Sequence, residues 1–155
     1  MHEAFRRYAE ALHPAFEQLM RMTPVAISRL PKKLPAKSIY LFSEGDDHLY
    51  VGRTRKLRSR LRQHSIPAAQ HNQAVFAFKL AREATGLTEA SYTSKGSRRA
   101  LLADPLFADA FGKAKARIRE MDLRFVEETD PLRQAMLEIY VAVVLGTRYN
   151  DFETH

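Results

Sequence analysis

The chain of 155 residues contains no cysteine. Disulfides and thiolate zinc sites are therefore excluded. No apolar run approaches the roughly 18 residues needed to cross a bilayer. The amino terminus, with His2, Glu3, Arg6 and Arg7, does not read as a signal peptide. Internal repeats and low-complexity tracts are absent. Acidic side chains are in deficit, 18 Asp and Glu against 25 Lys and Arg, for a net charge of +7. These observations point to a cytoplasmic protein with no membrane partner, a single globular domain by length. The charge is that of a chain with a polyanionic partner, although many basic proteins bind none.

The most informative stretch runs from Ser38 to His64. Two short runs rich in Tyr, Ile, Val and Phe flank Glu44-Gly45-Asp46, the pattern of a β-hairpin. Thr54 then suits the cap of a helix through Arg55 to about Gln63, with Leu57 and Leu61 turned to the core. The helix displays Arg58, Arg60, Arg62 and His64, and the i, i+4 spacing puts Arg60 and His64 on one face.

Either side of this stretch the pattern is mainly helical. Phe5, Tyr8, Leu12, Phe16 and Leu19 predict an amphipathic helix over residues 3–20, kinked or split at Pro14. It serves either as a brace or as a partner-binding helix. Pro24, Pro31 and Pro35 predict an extended connection with Lys32 and Lys33 exposed. A helix is expected over 72–84, ending near Gly86. Residues 87–103 read as polar, ending in a basic loop with Lys95, Arg98 and Arg99, which is either a phosphate contact or a solvated turn. Asp104-Pro105 starts a helix with Leu106, Phe107, Ala110, Phe111 and Ala114 inward, while Lys113, Lys115 and Arg117 complement its dipole. Alternation from Ile118 to Glu127 predicts a third strand. Asp130-Pro131 starts a last helix, to about Leu145, apolar on nearly every side and so expected at the centre.

Within that helix Glu138 is the only charged side chain between Arg133 and Arg148. An uncompensated carboxylate there is expensive, so it must meet a cation, a metal or a solvated cleft. A structural ion pair, for example with Arg60, is the plain alternative. A single hard carboxylate with open positions suits Mg²⁺.

Together these residues resemble the GIY-YIG nuclease family, which includes homing, restriction and excision-repair endonucleases. Ser38-Ile39-Tyr40 stands for the first triplet, with serine in place of the first glycine, and Tyr50-Val51-Gly52 for the second. The resemblance spans about residues 38–150. It places the family's arginine at Arg60, its histidine at His64, its metal-binding glutamate at Glu138 and its asparagine at Asn150. It implies an α+β fold: a small, mainly antiparallel three-stranded sheet flanked by helices over 38–155, with residues 1–37 as an added N-terminal segment. The implied activity is DNA phosphodiester hydrolysis with Mg²⁺ or Mn²⁺. Glu138 would hold the ion and Arg60 would donate to the phosphate. Tyr50, as a phenolate, would be the base, helped by Tyr40 or His64.

Gly52, Arg53, Arg55, Arg58, Arg62, Lys95, Arg98, Arg99 and Asn150 are the candidate nucleic-acid contacts. Gly52 would admit a close backbone or phosphate, and Asn150 would bind phosphate, hold the site together or cap the helix. His71 and Asp151 are weaker candidates. The plain readings stand beside these: tyrosines are common in strands, most of the arginines form a solvated face, and His64 faces a helix dipole. Duplex or branched DNA is the expected partner, RNA remains open, and the chain is a monomer or homodimer. The rival functions are a binding module without cleavage and a basic protein with an acidic protein partner.

Overall fold

The computed structural model describes residues 1–87 and 98–153. The fold is α+β, with a three-stranded antiparallel sheet in the order β2-β1-β3. In chain order the elements are α1 (Glu3–Arg21), a 3₁₀ turn (Ile27–Arg29), β1 (Ser38–Glu44), β2 (Asp47–Thr54) and α2 (Leu57–Ser65). They continue with α3 (Val75–Thr85), α4 (Arg98–Ala103), α5 (Pro105–Arg119), β3 (Asp122–Glu127) and α6 (Pro131–Leu145). The chain divides into two compact units, Met1–Arg60 with Met121–His155, and Leu61–Glu120; the division falls within α2. Among the described residues no helix is long and apolar enough to cross a membrane.

The first unit holds the sheet. β1 and β2 are joined by Gly45-Asp46, and Gly45 takes a φ of +61°, a conformation that glycine adopts without the penalty of a Cβ. Its N–H donates to Asp122 at 3.1 Å, which ties the hairpin tip to the start of β3. β1 is the central strand, and Ile39 and Leu41 on one face pack with Val51 and Val126. α1 and α6 cover that face through Leu12, Leu19, Leu137 and Val141. Asp130 starts α6 as anticipated: its Oδ1 accepts from the N–H groups of Leu132 and Arg133, both at 2.9 Å, with proline at the first turn.

The second unit packs α3 and α4 against α5. Its aromatic centre is Phe78, with ring centroids 5.1 Å from Phe107 and 6.0 Å from Phe111.

Several expectations give way here. α1 runs unbroken through Pro14, and Phe5 is exposed rather than buried. α2 begins at Leu57, because Thr54 closes β2 and its hydroxyl accepts from the Lys56 N–H at 3.0 Å, before the helix. Ile118 belongs to α5, and β3 starts only at Asp122. Ile118 and Met121 are three apart, a step that suits a buried helical face and also reads as the start of an apolar run. Leu106 is exposed, whereas Lys115 is buried: its ammonium donates to the carbonyls of Pro67 (2.6 Å) and Ala69 (2.9 Å) and lies over the Phe111 ring. Arg98 and Arg99 open the short helix α4 instead of sitting in a loop, and Lys95 lies outside the described residues.

The largest correction concerns α6. It is not central: Leu132 (63%), Ile139 (50%), Val143 (76%) and Val144 (51%) are substantially exposed. Only the face with Gln134, Leu137, Val141 and Ala142 is buried.

Candidate active site

The site is built where β1 and β2 pair. Tyr40 and Gly52 are direct cross-strand partners. A Cβ at Gly52 would stand 2.3 Å from both Cζ and the hydroxyl oxygen of Tyr40, closer than any real contact. The close approach expected at Gly52 is present, but the group that makes it is the Tyr40 phenol rather than a backbone or a phosphate. The space above Gly52 is filled by the Tyr40 phenol, and the bare backbone is what lets that ring come so close to the strand.

Tyr40 is almost wholly buried, its ring 6.4 Å from that of Tyr50 and 5.8 Å from that of Phe42. Arg60, on the first turn of α2, points its Nε at the Tyr40 hydroxyl at 3.3 Å. Burial disfavours the guanidinium charge, but the oxygens of Tyr40 and Tyr50 outweigh this and leave its pKa raised. Residues from three successive elements thus form one polar knot.

The phenols themselves are held neutral. Burial pushes Tyr40 well above its ordinary value, Tyr50 adds to the rise, and Arg60 offsets only part of it. Burial raises Tyr50 too, with Arg60 again opposing and Glu138 adding. A standing phenolate at Tyr50 is therefore disfavoured by burial, since the low-dielectric surroundings penalise the anion more than one guanidinium repays.

Glu138 enters from α6. Its partner is Arg53 on β2, Nε to Oε2 2.9 Å, and not Arg60. The carboxylate is 19% exposed and the guanidinium 49%. Burial raises the Glu138 pKa even though Arg53 lowers it through charge and hydrogen bonding. The pair is therefore undercompensated: the second oxygen, Oε1, has no hydrogen-bond partner among the described residues. The charge of Glu138 adds to the rise at Tyr50 and, as the smallest of the causes, at Tyr40.

A hard carboxylate oxygen left open, in a setting that penalises its charge, fits a divalent ion. Among the described residues no group of three or more His, Cys, Asp or Glu side chains is arranged for a metal. An ion held by Glu138 would therefore have to keep most of its own water.

Other expected contacts are otherwise engaged. Arg58 donates through one Nη to the carbonyls of Pro31 and Lys32, both at 2.8 Å, so it braces the connection before β1. Asn150 spends both ends of its amide on the backbone of Val51, Oδ1 accepting from N at 2.9 Å and Nδ2 donating to O at 2.7 Å. It acts as one more rung on β2, between Tyr50 and Gly52, which is the site-holding role among the three expected of it. Arg55, Arg62, Arg98 and Arg99 are exposed, and Arg98 lies over the Phe78 ring at 5.4 Å. His64 is fully buried in the second unit. The His71 ring lies 6.2 Å from that of Phe78 and tilted to it, and Asp151 accepts from the Glu153 N–H in a local turn.

One residue was missed. Gln134, buried one turn before Glu138, donates to the carbonyls of Thr54 (3.1 Å) and Glu128 (2.7 Å), fixing α6 to the end of β2. Its signal was the same as that of Glu138, a polar side chain on an apolar helix at i, i+4.

No protein-family model, curated protein or solved structure matches the chain.

Proposed function

We propose that the protein is a divalent-metal-dependent endonuclease that hydrolyses DNA phosphodiester bonds at this site, a GIY-YIG-type enzyme. The observation that carries the reading is the convergence of side chains far apart in the chain. Arg60 reaches Tyr40 at 3.3 Å, and Glu138, from the last helix, lies within electrostatic reach of both phenols.

In this reading Arg60 is a donor already charged, oriented and partly dehydrated by its phenol partners. It meets negative charge as it grows on a phosphate oxygen, with little reorganisation to do. The neutral hydroxyls of Tyr40 and Tyr50 fix the guanidinium plane, and Tyr50, the less buried, can accept from or donate to an attacking water. Glu138 would hold the ion, which when bound supplies Lewis-acid stabilisation of the phosphate and the leaving oxygen. Arg53 orients the Glu138 carboxylate. Asn150 and Gln134 fix the strand that carries Tyr50, Gly52 and Arg53. The exposed Arg55, Arg62, Arg98 and Arg99 would meet backbone phosphates.

A second reading, a nucleic-acid-binding module without cleavage, is favoured by one observation: the Arg53 ion pair already partners the acid. A cleavage screen separates the two. Duplex, branched and single-stranded DNA and RNA are each incubated with Mg²⁺ or Mn²⁺. Metal-dependent strand scission supports the enzyme; binding without scission on every substrate leaves only the module.

A further inference from the structure

The outer face of α6 takes no part in the proposed site, yet four of the large apolar side chains exposed among the described residues lie on it. Leu132, Ile139, Val143 and Val144 are half to three-quarters exposed. The only charged side chain between Arg133 and Arg148 is Glu138, and it is turned to Arg53 on β2. A helix apolar on every side is ordinarily covered on every side, and a contiguous exposed patch of this kind marks an interaction surface.

We propose that a second copy of this chain covers it, through antiparallel pairing of two α6 helices about a two-fold axis. Leu132, Met136, Ile139 and Val143 follow the four-three-four spacing of a heptad seam, with Met136 half-buried because it also packs against the core. This series is symmetric about its midpoint. A two-fold copy therefore sets Leu132 against Val143 of its partner and Met136 against Ile139, so that large apolar side chains meet at every step.

Charge separates this occupant from the others. The chain carries +7, so two copies repel wherever basic faces meet. The seam has no cation to repel its own copy. It likewise offers none to a nucleic acid and none to an acidic protein. The area is sufficient for a reversible dimer. The three exposed seam residues, with Val144 at their flank, leave on the order of 400 Å² per copy. Two such faces, with the flanks of Met136 and Tyr140, approach the roughly 1,000 Å² at which a specific interface begins. The inference does not depend on the nuclease reading.

The test uses the full chain in sedimentation velocity from micromolar to hundreds of micromolar concentration. A concentration-dependent dimer is expected, with Ile139→Lys and Val143→Glu each monomeric throughout and unchanged in circular dichroism. A wild-type chain that stays monomeric, or a dimer that both substitutions leave intact, overturns the proposal.

The absence of native cysteine makes a second test clean. Leu132→Cys mixed with Val143→Cys should oxidise to a cross-linked pair. Leu132→Cys alone should not, because in the antiparallel arrangement its copy lies about 16 Å along the helix. Cross-linking of Leu132→Cys to itself, without the mixed product, would mean parallel pairing and overturns the two-fold arrangement.

Discussion

Gly52 faces Tyr40 across two hydrogen-bonded strands, and there is no room between them for a single methyl group. The glycine of one strand is thus the seat of the tyrosine of the other. That tyrosine in turn holds Arg60.

Gly52→Ala should therefore behave as an overpacking mutation at the site's foundation. The neighbour is a buried ring packed near Phe42 and Tyr50 and bonded to Arg60, so it has little room to swing clear. A loss of about 1–3 kcal/mol is expected. Urea denaturation measures it, and a stability equal to wild type would show that the ring has space the structure does not reveal.

Arg60→Ala should reduce turnover roughly 10²–10³-fold, the usual consequence of removing one preoriented donor to developing charge. Arg60→Lys should recover little, because an ammonium does not reproduce a guanidinium held by two phenols. Near-normal turnover in the lysine variant would reduce Arg60 to a simple positive charge.

Salt dependence should distinguish arginines that meet phosphate from arginines already in use. Replacing Arg55 or Arg62 by alanine should each lower the log–log slope of duplex affinity by about 0.9. Arg58→Ala should leave that slope unchanged and lower the melting temperature instead, since its Nη is bonded to Pro31 and Lys32. Asn150→Asp should likewise destabilise without altering the slope, because it turns a donor to the Val51 carbonyl into a repelling oxygen.

The Glu138 carboxyl sits above its ordinary 4.5 because burial outweighs Arg53. A group raised in the folded state contributes stability below its unfolded pKa and loses it as pH rises through the folded value. Glu138→Gln removes this loss. The variant should be as stable as wild type or more so at neutral pH, with the wild type gaining on it as pH falls toward 4.5. Thermal melts of both proteins across that range read the effect. A variant less stable at neutral pH would make the Arg53 pair a net stabilising bridge.

How much of this was legible in the sequence depends on how local each cause is. The hairpin, the asparates that cap α5 and α6, and the approach of Arg60 to the paired strands follow from residues close in sequence. The ambiguous parts are those that tertiary partners decide. The all-round apolarity of α6 reads as burial, but composition does not reveal that α1 and the sheet cover one side only. Arg58 and Asn150 look like their solvent-facing neighbours, and only the fold shows that backbone carbonyls claim them. The tyrosine pair was legible, but its ionisation was not. A phenolate requires knowing how completely Tyr40 and Tyr50 are withdrawn from water, and that depends on the ring packed over Gly52.

The most direct test of the central claim compares wild type with Glu138→Gln and Arg60→Ala in a plasmid-nicking assay with Mg²⁺ and with Mn²⁺, after confirming that all three fold and bind DNA equally. The account predicts metal-dependent nicking or linearisation by wild type, none by Glu138→Gln and a trace by Arg60→Ala. Cleavage by Glu138→Gln at the wild-type rate, or no cleavage by wild type with either metal, would contradict it.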